Sequence, residues 1–342
     1  MNEETRLSAI SAPRSPNEEP IIRKTPLWKT LLNQLGTVIG LVFVFGLFSV
    51  LRPDTFFNMS NVELILVQSA VVGMSALGMT IIIIAGGIDL SVGSNIALCT
   101  VTIALLLNDN LPPLVAALGG IAAGAACGLL ISMLVTQLNL NSFIVTLGMW
   151  GAVRGVAKGL AHDNTVIPPE TWLNNLLNML SRHQRWMIFP VGVWMMLFCA
   201  VLVSLLLKYT RVGKHIFAIG SNEQTARLCG VPINRTKIII FTLGAALTGL
   251  AGVLQFSYLT IGDPTTANGL ELNIIAAVVI GGGSLSGGQG SVFGSLVGAL
   301  IMTTISIGCT KLGLSNWVQE IVTGFIIILA VTLDQIRHRR RV

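Results

Sequence analysis

Asp89 stands in a polar, glycine-rich stretch, Gly86-Gly87-Ile88-Asp89-Leu90-Ser91-Val92-Gly93-Ser94, between two long apolar runs. Thr80 to Ala85 leads in without a charge and Ile96 to Leu107 leads out with none. On insertion scales a carboxylate at the centre of a membrane helix costs about 2.5–3.5 kcal/mol. Irregular backbone at that depth must face protein or a wet cavity. Ser91 and Asn95 are four residues apart, so on a helix they share a face with each other. Asp89, Ser91 and Asn95 could therefore line a path and offer hydrogen bonds to a neutral polyol. Asp89 and Ser91 are equally good residues to cap the start of the following helix.

Two further polar sets open apolar runs. Asn141, Ser142 and Thr146, with Asn139 before them, begin one; Glu271 and Asn273 begin another. Asn141 suits an N-cap, and an acid in the first turn is favourable to the helix dipole. Pathway and capping roles both stay open for these residues. Arg154 and Lys158, also four apart, are expected to snorkel to an interface. The four histidines lie far apart and the five cysteines form no C-x-x-C pair. The chain offers no catalytic set and no metal site.

These residues must be positioned by membrane helices. Apolar residues make up 53% of the chain and charged ones 11%, against about 25% charged in soluble domains, and the mean hydropathy is +0.78. At about 20 apolar residues per crossing, about ten spans fit: 35–51, 62–85, 91–107, 113–135, 142–160, 188–207, 237–257, 270–282, 291–310 and 317–334. The fold class expected is an all-α integral membrane protein with interrupted helices. Two spans are short, 91–107 and 270–282, and the second cannot cross alone. Residues 1–34, with four prolines, read as a disordered cytoplasmic tail. Residues 35–336 form the membrane domain, and 337–342 a basic tail. The net charge of +6 falls in the flanks of spans, which points to cytoplasmic loops and not to nucleic acid. The segment 208–237 carries Lys208, Arg211, Lys214, Arg227, Arg235 and Lys237 against one acid, Glu223. This places it, and both termini, in the cytoplasm, with 161–187 outside; Arg182 and Arg185 in that outer loop run against the rule.

Residues 84–94 read I-A-G-G-I-D-L-S-V-G-S and residues 280–291 read I-G-G-G-S-L-S-G-G-Q-G-S. Two interrupted segments in corresponding positions point to a transport pathway. Leu285-Ser286-Gly287-Gly288-Gln289 matches the signature of transporter ATPases, but no G-x-x-x-x-G-K-[ST] loop accompanies it. It is expected to be a tight glycine turn. Within Gly220-Ser221-Asn222-Glu223-Gln224-Thr225-Ala226-Arg227-Leu228-Cys229-Gly230, Ser221 or Asn222 can cap a short helix that Gly230 ends. Such a helix between spans suits docking to a cytoplasmic partner.

Gly86 to Ser94, Phe143-Ile144-Val145-Thr146-Leu147-Gly148, the Gly220–Gly230 segment and the Gly269–Gly290 stretch together resemble permease subunits of ribose-type ABC sugar importers, over roughly residues 35–336. The resemblance implies a type II importer fold and two permeases pairing in the bacterial inner membrane, a homodimer here. It also implies a cytoplasmic ABC ATPase partner that binds ATP and magnesium, and a periplasmic sugar-binding protein. The permease itself is then no enzyme, binds no cofactor, and meets lipid but no nucleic acid. Gly220, Asn222, Glu223, Arg227 and Gly230 would form the element coupled to the ATPase. Gln224-Thr225 departs from the small pair usual there. The function expected is import of ribose or a similar pentose by alternating access. An ion-coupled secondary transporter, or an ABC permease for autoinducer-2 or another sugar, is the alternative.

Overall fold

A computed structural model describes residues 27–179 and 186–339. Most of the N-terminal tail, Arg182, Arg185 and the last three residues of the basic tail lie outside the described residues. The chain divides into two units, Met1–Asn33 and Gln34–Val342. The first unit is described only from Leu27, where it is helical; all that follows concerns the second.

The helices are α1 (Leu27–Leu51), the short α2 (Pro53–Phe56), α3 (Met59–Ile84), α4 (Val92–Asn108), α5 (Pro113–Gln137), α6 (Ser142–Leu160), α7 (Val191–Tyr209), α8 (Arg211–Ser221), α9 (Glu223–Leu228), α10 (Ile233–Leu259), α11 (Leu270–Ile280), α12 (Val292–Lys311) and α13 (Asn316–Arg339). A 3-10 turn covers Trp172–Asn175. Among the described residues the extended structure is one isolated bridge, Val166 to Gly262, which ties the 161–187 loop to the segment before α11.

Five helices, α3, α5, α7, α10 and α12, are each long and apolar enough to cross a bilayer. The chain is thus a multi-pass membrane protein. Shorter apolar stretches fill α1, α4, α11 and α13. With 11 residues, α11 is about 16 Å long at 1.5 Å per residue, half the ~30 Å hydrocarbon thickness. The expectation of a half-helix at 270–282 is met in length. Between α7 and α10, where the sequence suggested one capped helix, the chain forms two, α8 and α9.

α3 is apolar all round because protein surrounds it: 94% of its most apolar window is buried, against 33% for α7. α10 packs on α3, α4 and α5, and α12 packs on α3 and α11. Small residues permit these crossings, as expected where helices associate in lipid. A side chain on Gly249 of α10 would meet the Ile121 backbone of α5 at 2.8 Å, and Cys99 of α4 sits over Gly252. The exterior is apolar in turn: Phe43, Val50, Phe198 and Phe325 are all at least 65% exposed. Water would not tolerate such a surface; lipid does.

These contacts set two glycine substitutions apart. Gly249→Leu should overpack the α5–α10 crossing by about 1–3 kcal/mol and lower the melting midpoint of the detergent-solubilised protein. Gly151→Ala on α6, where an added carbon meets open space, should stabilise the fold by about 0.5–1 kcal/mol and raise that midpoint.

Candidate functional site

The two interrupted helices end identically. At the end of α3 the Gly87 amide donates to Ile82 O (3.0 Å) and the Gly86 amide to Ile83 O (2.9 Å). At the end of α11 Gly283 donates to Val278 O (2.8 Å) and Gly282 to Val279 O (2.9 Å). Both are Schellman endings, which need a left-handed residue just past the helix; Gly86 has φ +80° and Gly282 φ +94°. The sequence echo between 84–94 and 280–291 is therefore a repeated helix stop.

The loop of the second segment packs on the stop of the first. The Ile84 carbonyl, an orphan of the last turn of α3, accepts from the Gly288 amide at 2.8 Å. Gly220, on α8, presses on the same point: a side chain there would strike the Ile84 carbonyl and the Gly288 amide. The Leu285–Gln289 loop is a tight turn, with Ser284 N donating to Gln289 O (3.1 Å) and Gly287 N to Ser284 O (2.9 Å). Ser284 Oγ also donates to Asp334 Oδ2 of α13 at 3.1 Å. The ATPase-like signature thus serves here as packing.

Asp89 is buried, and its Oδ1 accepts from the Ser91 amide (2.8 Å) and the Ser91 hydroxyl (2.6 Å). Ser91 is the N-cap residue of α4 by position, but its hydroxyl is spent on Asp89 and gives no cap bond. Asn95 is buried below it, its amide nitrogen 3.5 Å from Gly124 O. From α6, Ser142 Oγ accepts from the Ile88 amide (3.4 Å) and Thr146 Oγ1 donates to the Ile88 carbonyl (3.1 Å). One helical turn apart, these two hydroxyls satisfy both backbone groups of a residue in the irregular stretch. Asn141 caps α6, accepting from Phe143 N at 2.9 Å.

Glu271 lies buried in the first turn of α11, its Oε2 without a partner. A side chain on Gly93 would run into that oxygen and the Ala267 carbonyl, so the start of α4 meets the start of α11. Arg154 does not simply snorkel. Its Nη1 donates to Pro264 O (3.0 Å) and Thr266 O (2.6 Å), holding the 260–269 segment against α6, while Lys158 is exposed.

Two cavities flank this arrangement. One, of ≈ 190 Å³, is lined by Gly86, Gly87, Asn141, Ser142, Glu223 and Lys237 among others. The other, of ≈ 230 Å³, draws Gln68 from α3, Gln255 and Tyr258 from α10, Asn273 from α11, and Thr303 and Ser306 from α12. The expected site residues therefore divide. Asp89, Ser91, Ser142 and Thr146 gather at the break after α3, with Asn95 a turn into α4. Asn141 and Ser142 face the smaller cavity, Asn273 the larger one, and Glu271 meets Gly93. Sequence reasoning missed Gln68, Gln255, Tyr258 and Thr303, because each is a polar residue within an apolar helix and belongs to no motif. Their one signal was a polar side chain inside a span.

In the 208–237 segment Asn222 Oδ1 caps α9, accepting from Thr225 N at 2.8 Å. Glu223 pairs with Lys237 (2.8 Å) and Arg227 (3.4 Å), contacts worth about 0–1 kcal/mol at a surface. Gly230 has φ +80° and ends the helix.

An all-helical membrane chain with two interrupted helices and a short capped helix at their junction has the architecture of a transport permease. Residues 61–331 match the family described as branched-chain amino acid transport system / permease component, and the chain belongs to that family. It is 37% identical to the Ribose import permease protein RbsC of Escherichia coli (strain K12) over 306 residues, 90% of this chain and 95% of that one. It is 38% identical to the Probable ABC transporter permease protein YphD of Escherichia coli (strain K12) over 309 residues, 90% of this chain and 91% of that one. It is 34% identical to the L-arabinose ABC transporter permease protein AraH of Azospirillum brasilense over 315 residues, 92% and 91% of the two chains. No solved structure matches the chain.

The Asp89 geometry makes two substitutions diverge. Asp89→Asn keeps an Oδ1 acceptor for Ser91, and solute uptake by membrane vesicles should be only partly impaired. Asp89→Ala leaves a buried amide and hydroxyl unpaired, at about 1–3 kcal/mol each, and should lose most folded protein on size-exclusion chromatography.

Proposed function

We propose that this chain is the permease of an ABC importer for a monosaccharide, ribose or a similar pentose, with ATP hydrolysed by a separate subunit. One observation carries the reading: α9 is rooted, through Gly220 at the end of α8, on the point where α3 stops and the loop that follows the α11 stop crosses it. A displacement of α9 by a bound ATPase would therefore reach the break at 85–91 and the break at 281–291 together. The relatives named for ribose and L-arabinose supply the substrate class.

In this reading 208–237 is cytoplasmic, since six basic residues face one acid there and basic loops stay inside. Both termini share that side, and about ten segments enter the bilayer. α9 is the coupling helix, with Leu228 at its end 88% exposed and available to a groove on the ATPase. Asn222 and Gly230 set its length, Glu223 ties it to α10 through Lys237, and Arg227 offers a cation to the partner. Two copies pair, and a periplasmic binding protein delivers sugar to the outer side. Sugar then passes groups drawn from Asp89, Ser91, Asn95, Asn141, Ser142, Thr146, Glu271 and Asn273 as the permease alternates between outward and inward openings.

The first test is to tag the chain, solubilise it mildly and identify what co-purifies. A stoichiometric chain with a phosphate-binding P-loop supports the importer; an oligomer of this chain alone that transports in liposomes without ATP would replace it with an ion-coupled carrier. Within the importer, Leu228→Asp should reduce recovery of the ATPase at least several-fold while leaving the permease folded. Gly220→Val should keep the ATPase bound yet cut ribose uptake by about ten-fold or more, because a side chain there collides with backbone that cannot yield without moving a helix end.

A further inference from the structure

The larger cavity contains none of the motif residues except Asn273, and it is built unlike the surrounding helix contacts. Its ≈ 230 Å³ equals about eight waters at ~30 Å³ each, below the ~300–1,000 Å³ of sites for drug-sized ligands. That is room for a solute of pentose size and too little for a disaccharide. No Asp, Glu, Lys, Arg or His lines it, so it offers nothing to a charged solute and no ion site of carboxylates.

What it does offer is hydrogen bonding around an apolar floor. Four helices each contribute at least one amide or hydroxyl: Gln68, Gln255 with Tyr258, Asn273, and Thr303 with Ser306. Two of these are already oriented by protein. Gln68 Nε2 donates to the Tyr258 hydroxyl at 3.1 Å, and Gln255 Nε2 donates to Thr266 Oγ1 at 2.9 Å. With their nitrogens engaged, both glutamines can present an amide oxygen to a hydroxyl. Two others are unpaid polar groups in the wall: Asn273 Oδ1 and Thr303 Oγ1 are buried without any partner. An unpartnered buried oxygen is costly, and a side-chain rotation toward the cavity would let a bound hydroxyl satisfy either one. Val71, Val72 and Met302 supply the apolar surface that the C–H face of a sugar needs.

The position fits the use. Tyr258 and Ser306 are exposed, so the cavity opens to the outside of the chain. A polar opening is disfavoured against hydrocarbon, so this face turns to water or to the second permease copy. The cavity also lies beside Ala267 and Leu270, at the start of half-helix α11, whose far end leads into the Gly287–Gly288 loop that packs on Gly220. Anything that shifts α11 changes the cavity.

We propose that this cavity is a sugar-selective site inside the permease, one that accepts a single neutral monosaccharide and sets part of the importer's specificity. This rests on the reading as a sugar permease. The test uses the assembled importer in proteoliposomes with saturating binding protein, and measures initial uptake of labelled D-ribose and L-arabinose. Thr303→Val, nearly isosteric, and Asn273→Ala each remove one hydrogen-bonding group; each should slow uptake of one pentose by about ten-fold, the equivalent of a lost hydrogen bond, and change the ratio between the two. Val72→Phe should fill the cavity and stop both. Unchanged rates and an unchanged ratio in Thr303→Val and Asn273→Ala, with the complex recovered in normal yield, would overturn the site and leave the importer standing. Absence of ATP-dependent uptake by the unsubstituted complex would instead overturn the importer, and this site with it.

Discussion

The Ile84 carbonyl is the point on which the rest of the arrangement hangs. A helix that stops against packed protein must give its last carbonyls new partners, since a buried backbone group without one is costly. For α3 that partner is the Gly288 amide, brought in by a loop that begins at the stop of α11. Gly220 fills the remaining space, and its lack of a side chain lets three backbone segments touch. One satisfied carbonyl therefore fixes the end of α3, the loop that follows α11 and the root of α9 relative to one another.

The same requirement explains the polar residues around the breaks. Ile88 sits in irregular backbone, and α6 answers both its amide and its carbonyl with Ser142 and Thr146. Asp89 has its hydrogen bonds from Ser91, and Arg154 holds the carbonyls of Pro264 and Thr266. Each interruption is closed by a side chain or amide from another element. An interruption secured in this way can be rearranged only as a unit, which is what a transporter with two alternating openings requires.

The surface divides along the same lines. The outer helices carry large apolar side chains outward, while α9 carries a capped, charged helix with Leu228 exposed at its end. Lipid explains the first surface and a protein partner the second. The polar cavity among α3, α10, α11 and α12 belongs to neither, and it is where the proposed sugar site lies.

How much of this was legible in advance depends on whether the cause is local. Most helices, their approximate limits, the half-length of α11 and the stops at Gly86 and Gly230 follow from apolar runs and from glycine's tolerance of positive φ. Those are properties of neighbouring residues, and the sequence by itself determined them. It also exposed the echo between 84–94 and 280–291, though not that the loop of the second segment packs on the stop of the first. The bond from Gly288 to Ile84 spans some 200 positions, and no pattern in the chain encodes which orphan carbonyl a distant amide will find. Likewise α8 was hidden in a charged, weakly apolar segment, Arg154 read as an interfacial cation, and Gln68, Gln255 and Thr303 were isolated polar residues on separate helices. Only the packing of α3, α10, α11 and α12 brought them around one cavity, because a polar side chain in an apolar helix acquires a role from whatever faces it, and that is decided by tertiary structure.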